Sequence, residues 1–345
     1  MKPTADEPNE KDADEPIGLP HGNGGRLMRE LIDEIFTREL CNPELDTMLD
    51  AATLAYPSGT VAMSTDCFTV QPVEFPGGDI GSLAVHGTVN DLAVTGAEPY
   101  HLGLGVIIEE GFGRRRLARI VASLAAAARA IPVRVVTGDT KVVPRGEGGG
   151  IYLITTGIGH RPRDRALDPR RIRPGDAIVV SGPVGDHAVA VMLARGQYGL
   201  HGDLRSDSAS VLPLTRAALA FPGLRFMRDP TRGGLATVMH DITRAGGLGV
   251  RLRMHDIPVR PAVRTVCELL GYDPLYLACE GRVVAVIEPE QAQSLCAAWR
   301  ALPEGAGAAI IGAAVADQDG VILETALGGE RFIEELEDDP LPRIC

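Results

Sequence analysis

The sequence predicts an α/β protein of two domains. Three observations point there. The chain has 345 residues, the length of roughly two domains. Short Val- and Ile-rich runs alternate with longer runs of helical spacing. Hydrophobic residues make up 45% of the chain but aromatics only 4%, so aliphatic cores are expected.

The elements follow in order. Residues 1–25 read as a disordered acidic leader and a Gly-rich flap. The leader carries Asp6, Glu7, Glu10, Asp12, Asp14 and Glu15, and lacks the basic and apolar regions of a signal peptide. The flap is His21-Gly22-Asn23-Gly24-Gly25. It precedes every strand, so it suits a mobile cover or a flexible linker better than a Rossmann turn. A helix is expected from Arg26 to about Leu40, with Leu27, Leu31, Ile35 and Phe36 at helical spacing. The first domain, 26–162, adds strands over Val61–Thr65, Leu102–Ile108, Val133–Val136 and Ile151–Thr156. Its other helices are Gly87–Thr95 and Arg114–Ala130, the latter with basic residues at its start, against the dipole preference.

The second domain, 163–333, begins its regular structure near Asp176. Strand Ala177–Ser181 leads through a Gly turn into helix Asp186–Arg195. Helices are expected over Val211–Phe221, Gly234–Ala245, Pro261–Leu270 and Glu290–Arg300. Strands are expected over Val250–Met254 and Val283–Ile287, with a final strand pair over Ala309–Val315 and Val321–Glu324. Gly246-Gly247 suits a helix stop and Pro261 a first helical turn. Residues 334–345 read as a flexible tail, acidic over Glu334–Asp339, stiffened by Pro340 and Pro342, and ending in Cys345. From Gly329 it would reach roughly 50 Å if extended.

Composition narrows the function. A net charge of −12 argues against nucleic-acid binding. No apolar run approaches a membrane span, and the expected compartment is the cytoplasm. Cys41, Cys67, Cys267, Cys279, Cys296 and Cys345 form no CxxC pair and no metal spacing with histidine. Buried free thiols are the default for such a chain. Cys345 differs: a thiol on the last residue of a loose tail is badly placed to pack and well placed to be carried between active sites. The competing reading is an incidental thiol on a frayed end.

Four acidic segments carry the chemistry. They are Ser64-Thr65-Asp66-Cys67-Phe68, Val89-Asn90-Asp91-Leu92, Val136-Thr137-Gly138-Asp139-Thr140-Lys141 and Arg228-Asp229-Pro230-Thr231-Arg232-Gly233-Gly234. Aspartates converging from separate strand ends suit a hard cation such as Mg²⁺, and a triphosphate requires Mg²⁺. Lys141 adds a cation for phosphate oxygens, and Gly233-Gly234 at a helix start offers backbone N–H groups to an anion. Each segment alone has a plainer reading as a turn or cap. No GxxxxGK[ST] occurs, and no GxGxxG follows a strand.

Together the segments resemble a known family. The runs HGNGG, TDCFTVQPVEFPGGDIGSLAVHGTVNDLAVTGAEP, VTGDTKVV, SGPVGDHAVAVM, RDPTRGGLATVMHDI and terminal PRIC resemble the HypE carbamoyl dehydratases of hydrogenase maturation. These belong to the superfamily of aminoimidazole ribonucleotide synthetases and selenophosphate synthetases, which shares the Asp segments but not the tail. The resemblance implies an aminoimidazole ribonucleotide synthetase-like fold whose N-terminal domains pair in a homodimer as a shared β-barrel, with ATP beside that interface. Asp66, Asp91, Asp139 and Asp229 would hold Mg²⁺ and phosphates. Gly22, Gly24, Gly25, Asn90, Thr140, Lys141, Arg232 and Gly233 would contact the nucleotide, with Arg232 alternatively paired to Asp229. Cys345 would receive a carbamoyl group from the carbamoyltransferase HypF. ATP-dependent dehydration would give a thiocyanate, and the cyanide would pass to iron on a HypC–HypD complex for a [NiFe]-hydrogenase.

That reaction needs a phosphorylated amide oxygen as leaving group, a base near the nitrogen, and exclusion of bulk water. Glu280 is the candidate base, with Lys141 the alternative if its pKa is depressed; Glu280 also reads as a surface turn carboxylate. One departure stands out. The family usually has Asn before the Glu-Gly pair, where this chain has Cys279. A thiol fits the space but cannot donate as an amide does. Two rivals remain: another ATP enzyme of the superfamily, and a scaffold that docks partners through its tail.

Overall fold

The computed structural model describes residues 14–22, 26–45, 54, 60–162, 167–316, 318–336, 341 and 344. In the first domain α1 is Arg26–Leu31, followed by a π-helical stretch Ile32–Thr37 and α2, Arg38–Leu40. Then come β1 (Thr60–Phe68), β2 (Glu74–Phe75), β3 (Gly78–Asp79), α3 (Ile80–Val94), β4 (Glu98–Glu109), α4 (Arg114–Ala130), β5 (Arg134–Val143) and β6 (Ile151–Arg161). The second domain holds β7 (Ala177–Val180), α5 (Asp186–Arg195), α6 (Leu212–Ala218), β8 (Leu224–Arg228), α7 (Gly234–Gly246) and β9 (Gly249–Arg253). It continues with α8 (Pro261–Leu270), β10 (Val284–Ile287), α9 (Pro289–Arg300), β11 (Ala309–Val315), β12 (Val321–Glu324) and β13 (Glu330–Ile333).

The first sheet runs β1-β6-β4-β5, with only β4 and β5 parallel. One face is covered by α3 and α4, which share a core with Leu104, Val106 and Ile108 of β4. The other face carries Val61 and Met63, which are 53% and 69% exposed, and the half-buried Ile107, Ile154 and Ile158. The strands therefore alternate, as a sheet covered on one side requires. Among the described residues the sheet is open, and no barrel closes within one protomer.

The second sheet runs β13-β12-β9-β11-β7-β10-β8. Alternate residues of β7 enter two different cores: Ile178 and Val180 with Leu235 and Met239 of α7, Ala177 and Val179 with Leu295 and Trp299 of α9. Both faces are covered, which explains strands that are apolar throughout. The expected final strand pair does not pair with itself. β9 lies between, parallel to β12 and antiparallel to β11.

Three further expectations change. Helix α3 starts seven residues earlier than its Gly87 expectation, because Asp79 caps it and closes a capping box with Ser82. It is buried nearly all round, between the first sheet, α4 and the second domain, so no amphipathic stripe marks it. The leader is not loose from Asp14 onward. Ile17 is buried, and its N–H donates to Phe112 O at 2.9 Å. The Asp14 carboxylate accepts from the N–H groups of Arg115 (2.6 Å) and Arg116 (3.2 Å), supplying the negative charge that the basic start of α4 lacks. The tail, expected to be free, is tied down where it is described. Glu334 O accepts from Tyr276 Oη at 2.9 Å, Glu335 pairs with Arg244, and Leu341 and Ile344 are buried. Among the described residues no helix is long and apolar enough to cross a membrane.

Candidate active site

The site forms where α3 meets the second domain. Asp66 lies on β1 with its side chain toward α3. Its carboxylate accepts from Thr88 Oγ1 at 3.1 Å, and Thr88 in turn meets Thr155 Oγ1 at 2.6 Å. Asp91, one turn further along α3, accepts from Ser64 Oγ at 2.5 Å. Asp229 follows β8, and Glu280 precedes β10, the neighbour of β8 in the sheet. Asp66, Asp91, Asp229, Thr231, Arg232, Glu280 and Gly87 line one small pocket with Cys67 and Phe68.

Four carboxyl groups in one partly desolvated place repel one another. Burial first, then Asp91, pushes Asp66 up to about 6. Burial first, then Asp91, pushes Asp229 up to about 7. Glu280 is raised well above the usual carboxylate range by burial, with Asp229, Asp207, Asp66 and Asp91 adding to it. The favourable charge acting on Asp66 is that of Arg232, whereas Asp229 is helped by Arg228. Asp229 Oδ2 and Glu280 Oε1 are buried with no hydrogen-bond donor. Orphaned, mutually repelling carboxylate oxygens fit a hard divalent cation. Among the described residues no three acidic, His or Cys groups gather at metal-binding spacing. The cluster thus suits an ion held by one or two carboxylates plus water and substrate phosphates, which is the habit of Mg²⁺.

Helix α7 begins directly after Arg232 of this cluster, with Gly233 as its N-cap. Gly233 and Gly234 both have positive φ, 71° and 60°. A Cβ on Gly234 would lie 2.6 Å from Leu277 O, so only glycine lets the turn approach the Glu280 segment. The 13-residue helix starts beside the pocket-lining Thr231 and Arg232, with the Gly234 N–H already donated to Thr231 O at 2.9 Å.

Glu280 is held by its backbone. Its N–H and that of Gly281 donate to the two oxygens of Asp207, at 3.2 and 3.3 Å. A Cβ on Gly281 would sit 1.9 Å from Asp207 O, which explains the glycine. Asn90 is committed here as well. Its amide donates to Ala209 O (3.0 Å) and Glu280 O (3.2 Å) and accepts from Val211 N–H (2.8 Å). Asn90, expected to touch nucleotide, instead clamps α3 to the loop 206–211 and to Glu280. Cys279 solves the missing amide differently: its Sγ accepts from Gly185 N–H at 3.2 Å and donates to Leu277 O at 3.6 Å. Burial pushes that thiol well up, so it stays protonated.

The comparisons with known proteins fit this architecture. Residues 48–160 match the family model of the AIR synthase related protein N-terminal domain, and 173–324 that of the C-terminal domain. A carbamoyl dehydratase HypE from Azotobacter vinelandii is 49% identical over 331 residues, covering 95% of this chain and 97% of that one. The chain belongs to the HypE carbamoyl dehydratase family. A crystal structure of the hydrogenase maturation protein HypE in complex with ATP matches with TM-score 0.91 and 45% identity, over 95% of this chain and 99% of that chain. A structure of a HypE–HypF complex matches with TM-score 0.78 and 38% identity, over 90% and 100%.

In this HypE-family chain the expected site residues fall into two groups. Asp66, Asp91, Asp229, Arg232, Gly233 and Glu280 come together. Asp139 and Lys141 do not join them within one protomer. They lie on β5, at the opposite edge of the sheet from β1; Asp139 ends the row Cys67–Ile154–Gly105–Asp139, and Lys141 stands opposite Ile107. Three strand spacings separate them, roughly 14 Å. Both point to the uncovered face; Thr140 alternates to the helix-covered side and is buried. Gly22 packs on the same edge, where a Cβ would sit 2.6 Å from Val142 N. Gly24, Gly25 and Cys345 lie outside the described residues. Asp207, Ser206 and His187, which connect Glu280 to the tail, were not singled out by sequence. Asp207 and Ser206 stand in an irregular loop, and His187 looks like any core histidine on a helix.

Proposed function

We propose that this chain is an ATP-dependent carbamoyl dehydratase that acts on an S-carbamoyl group carried by its own Cys345. The observation that carries the reading is the pocket where Asp66, Asp91, Asp229 and Glu280 meet Arg232 and the N-terminus of α7. That pocket offers oxygen ligands for Mg²⁺ and N–H donors for phosphate. Its relatives' names and the relative solved with ATP support the same assignment. When bound, Mg²⁺ would neutralise phosphate charge, held by one or two carboxylates from among Asp66, Asp91 and Asp229 together with water and phosphate oxygens.

The chemistry follows from the groups present. The carbamoyl oxygen attacks the γ-phosphorus of ATP and ADP departs, while one nitrogen proton is lost. The O-phosphorylated imidate then expels phosphate, and the second nitrogen proton leaves with it, giving S–C≡N. Glu280 is the base for this reading. Burial and its acidic neighbours raise its pKa, and positive charge at the cluster would act in the opposite direction. Arg232 and the α7 N–H groups stabilise the transferring phosphoryl group. The carbamoyl donor would be a HypF-type carbamoyltransferase, a reading supported by the HypE–HypF relative. The acceptor would be iron on a HypC–HypD complex.

The two-edged distribution of residues supports a homodimer. Asp139, Lys141 and Gly22 line one edge of the sheet and Asp66 the other, and the exposed apolar face carrying Val61 and Met63 lies between. Packing two such faces together in a barrel would bring the β5 edge of one protomer to the β1 edge of its partner, and would cover an otherwise costly surface. Lys141 would then meet the γ-phosphate held by the partner's cluster.

Intact mass and C-terminal peptide mapping test the reading. The protein is incubated with carbamoyl phosphate, ATP and the partner carbamoyltransferase. A carbamoyl adduct on Cys345 that loses one water only with Mg²⁺-ATP is expected. An adduct that never loses water, with the transferase active, would leave a carrier without dehydratase activity.

A further inference from the structure

The C-terminal residues are held by one buried histidine outside the carboxylate cluster. His187, at the second position of α5, has no exposed surface. Its Nε2 lies 2.8 Å from Ile344 O, and its Nδ1 lies 2.7 Å from Ser206 Oγ. A carbonyl only accepts, so Nε2 carries the proton and donates to Ile344 O. Nδ1 of the neutral ring is then the acceptor, and the Ser206 hydroxyl donates to it. Ser206 Oγ accepts in turn from Ser208 N–H at 2.9 Å. Every group in the chain has one direction, and burial keeps the ring neutral, as this requires.

The supports are rigid. Phe75 stands edge-on to the imidazole, ring centroids 5.3 Å apart at 88°. Ser206 N–H donates to Pro76 O at 2.7 Å, fixing the β2–β3 hairpin against the loop. The next residue, Asp207, is the carboxylate that receives Glu280 and Gly281. Leu341 and Ile344 join the buried apolar cluster that contains Ala188, Val191 and Phe75. Upstream, Leu336 Cδ1 lies 3.4 Å from where a Cβ of Gly233 would be, so the tail also passes the start of α7.

We infer that His187 is the positioning residue for the carrier tail: its Nε2–H holds the carbonyl of Ile344, the acyl half of the peptide bond to Cys345, with Ser206 fixing the tautomer. The inference deepens the dehydratase reading and rests on it for its consequence in catalysis. The geometry of the latch stands independently of that reading. The bond is made only with the tail docked, so His187 should raise the fraction of time the tail spends at the site. It should leave ATP affinity and loading by the transferase alone.

The test compares wild type, His187→Gln and His187→Phe, with Ser206→Ala as a milder variant that removes the hydroxyl donor but keeps the ring. The first readout is hydrogen exchange of the C-terminal peptide covering residues 334–345. His187→Phe keeps the ring volume and loses both hydrogen bonds, so exchange there should quicken about tenfold, the equivalent of one buried hydrogen bond. Peptides of β7 and β10 should be unchanged. His187→Gln, which keeps an amide donor near the Nε2 position, should restore most of the protection, and Ser206→Ala should fall between. The second readout is the rate at which carbamoylated Cys345 loses water with Mg²⁺-ATP, against ATP affinity. His187→Phe should slow water loss about tenfold at unchanged ATP affinity. Unchanged tail exchange in folded His187→Phe would overturn the latch and make His187 a packing residue. A lost ATP affinity would likewise overturn it. Altered tail exchange in an enzyme whose wild type never dehydrates the adduct would retain the latch and remove the dehydratase.

Discussion

Asp229 is buried behind β8, with one carboxylate oxygen lacking a donor and three acidic neighbours. Such a group costs stability when it ionises. Its pKa and that of Asp66 are raised, so the unfolded chain loses these protons at lower pH than the folded one. Their favourable contribution is complete below about 4 and is lost as pH rises through about 6 for Asp66 and about 7 for Asp229. The ligand-free protein should therefore melt at lower temperature at pH 8 than at pH 5.5 on account of this cluster. Asp229→Asn should flatten the profile and stabilise the ligand-free fold at pH 8 by on the order of 2 kcal/mol. The same variant should weaken Mg²⁺-ATP binding. Thermal melts across pH, with and without Mg²⁺-ATP, check both halves. A variant less stable than wild type at pH 8 would mean that Asp229 is a structural partner and not a strained ligand.

At the scale of elements, the site depends on backbone approaching backbone. The Glu280-Gly281 turn lies against loop 206–211, and Asn90 of α3 bonds to both. A side chain at Gly281 would have to displace the backbone of Asp207 and Ala209. Gly281→Ala is expected to cost about 2–3 kcal/mol in urea unfolding. It should lower dehydration more than ATP binding, because it moves Glu280 and leaves Asp66 and Asp91 in place. A change below about 0.5 kcal/mol, with normal activity, would show that the loop yields easily. Helix α3 joins these pieces. Its Asp79 cap sets where it begins, and its burial between both domains brings Asp91 to Asp229.

At the scale of the whole molecule, Asp66 and the pair Asp139 and Lys141, all expected at one site, lie on opposite edges of one sheet. A two-fold pairing of uncovered faces predicts a mixing experiment. Lys141→Ala and Asp91→Asn should each be inactive alone. When the two chains are co-expressed, half the dimers would be mixed, and each would hold one intact site, so about a quarter of wild-type activity should return. Sites complete within one protomer would give no recovery. On that pairing, sedimentation should show a dimer for both variants, because neither substitution alters the exposed apolar residues Val61 and Met63.

Much of this protein is decided by local sequence. Helices α4, α5 and α8 begin and end where Gly, Pro and periodicity place them, and β11 and β12 match their Val- and Ile-rich runs. The Asp segments mark Asp66, Asp91 and Asp229 as acidic residues beside small ones; only Asp229 stands at a strand end as expected, whereas Asp66 lies within β1 and Asp91 on helix α3. Tertiary structure decided the rest. Helix α3 carries no amphipathic stripe, because it is buried on every side. β8 is a short strand whose pairing with β10 is non-local, and β9 separates β11 from β12. Asn90 reads as a ligand residue, yet its amide is used up by three backbone partners from distant loops. Asp139 and Lys141 carry the right chemistry, but the strand order sets them an entire sheet away from Asp66. His187 has no local signal at all, because its role comes from a carbonyl 157 residues away. Sequence fixes which side chains are available through local backbone preference and charge. Which of them meet depends on contacts between distant segments, and these exist only once the two domains have packed.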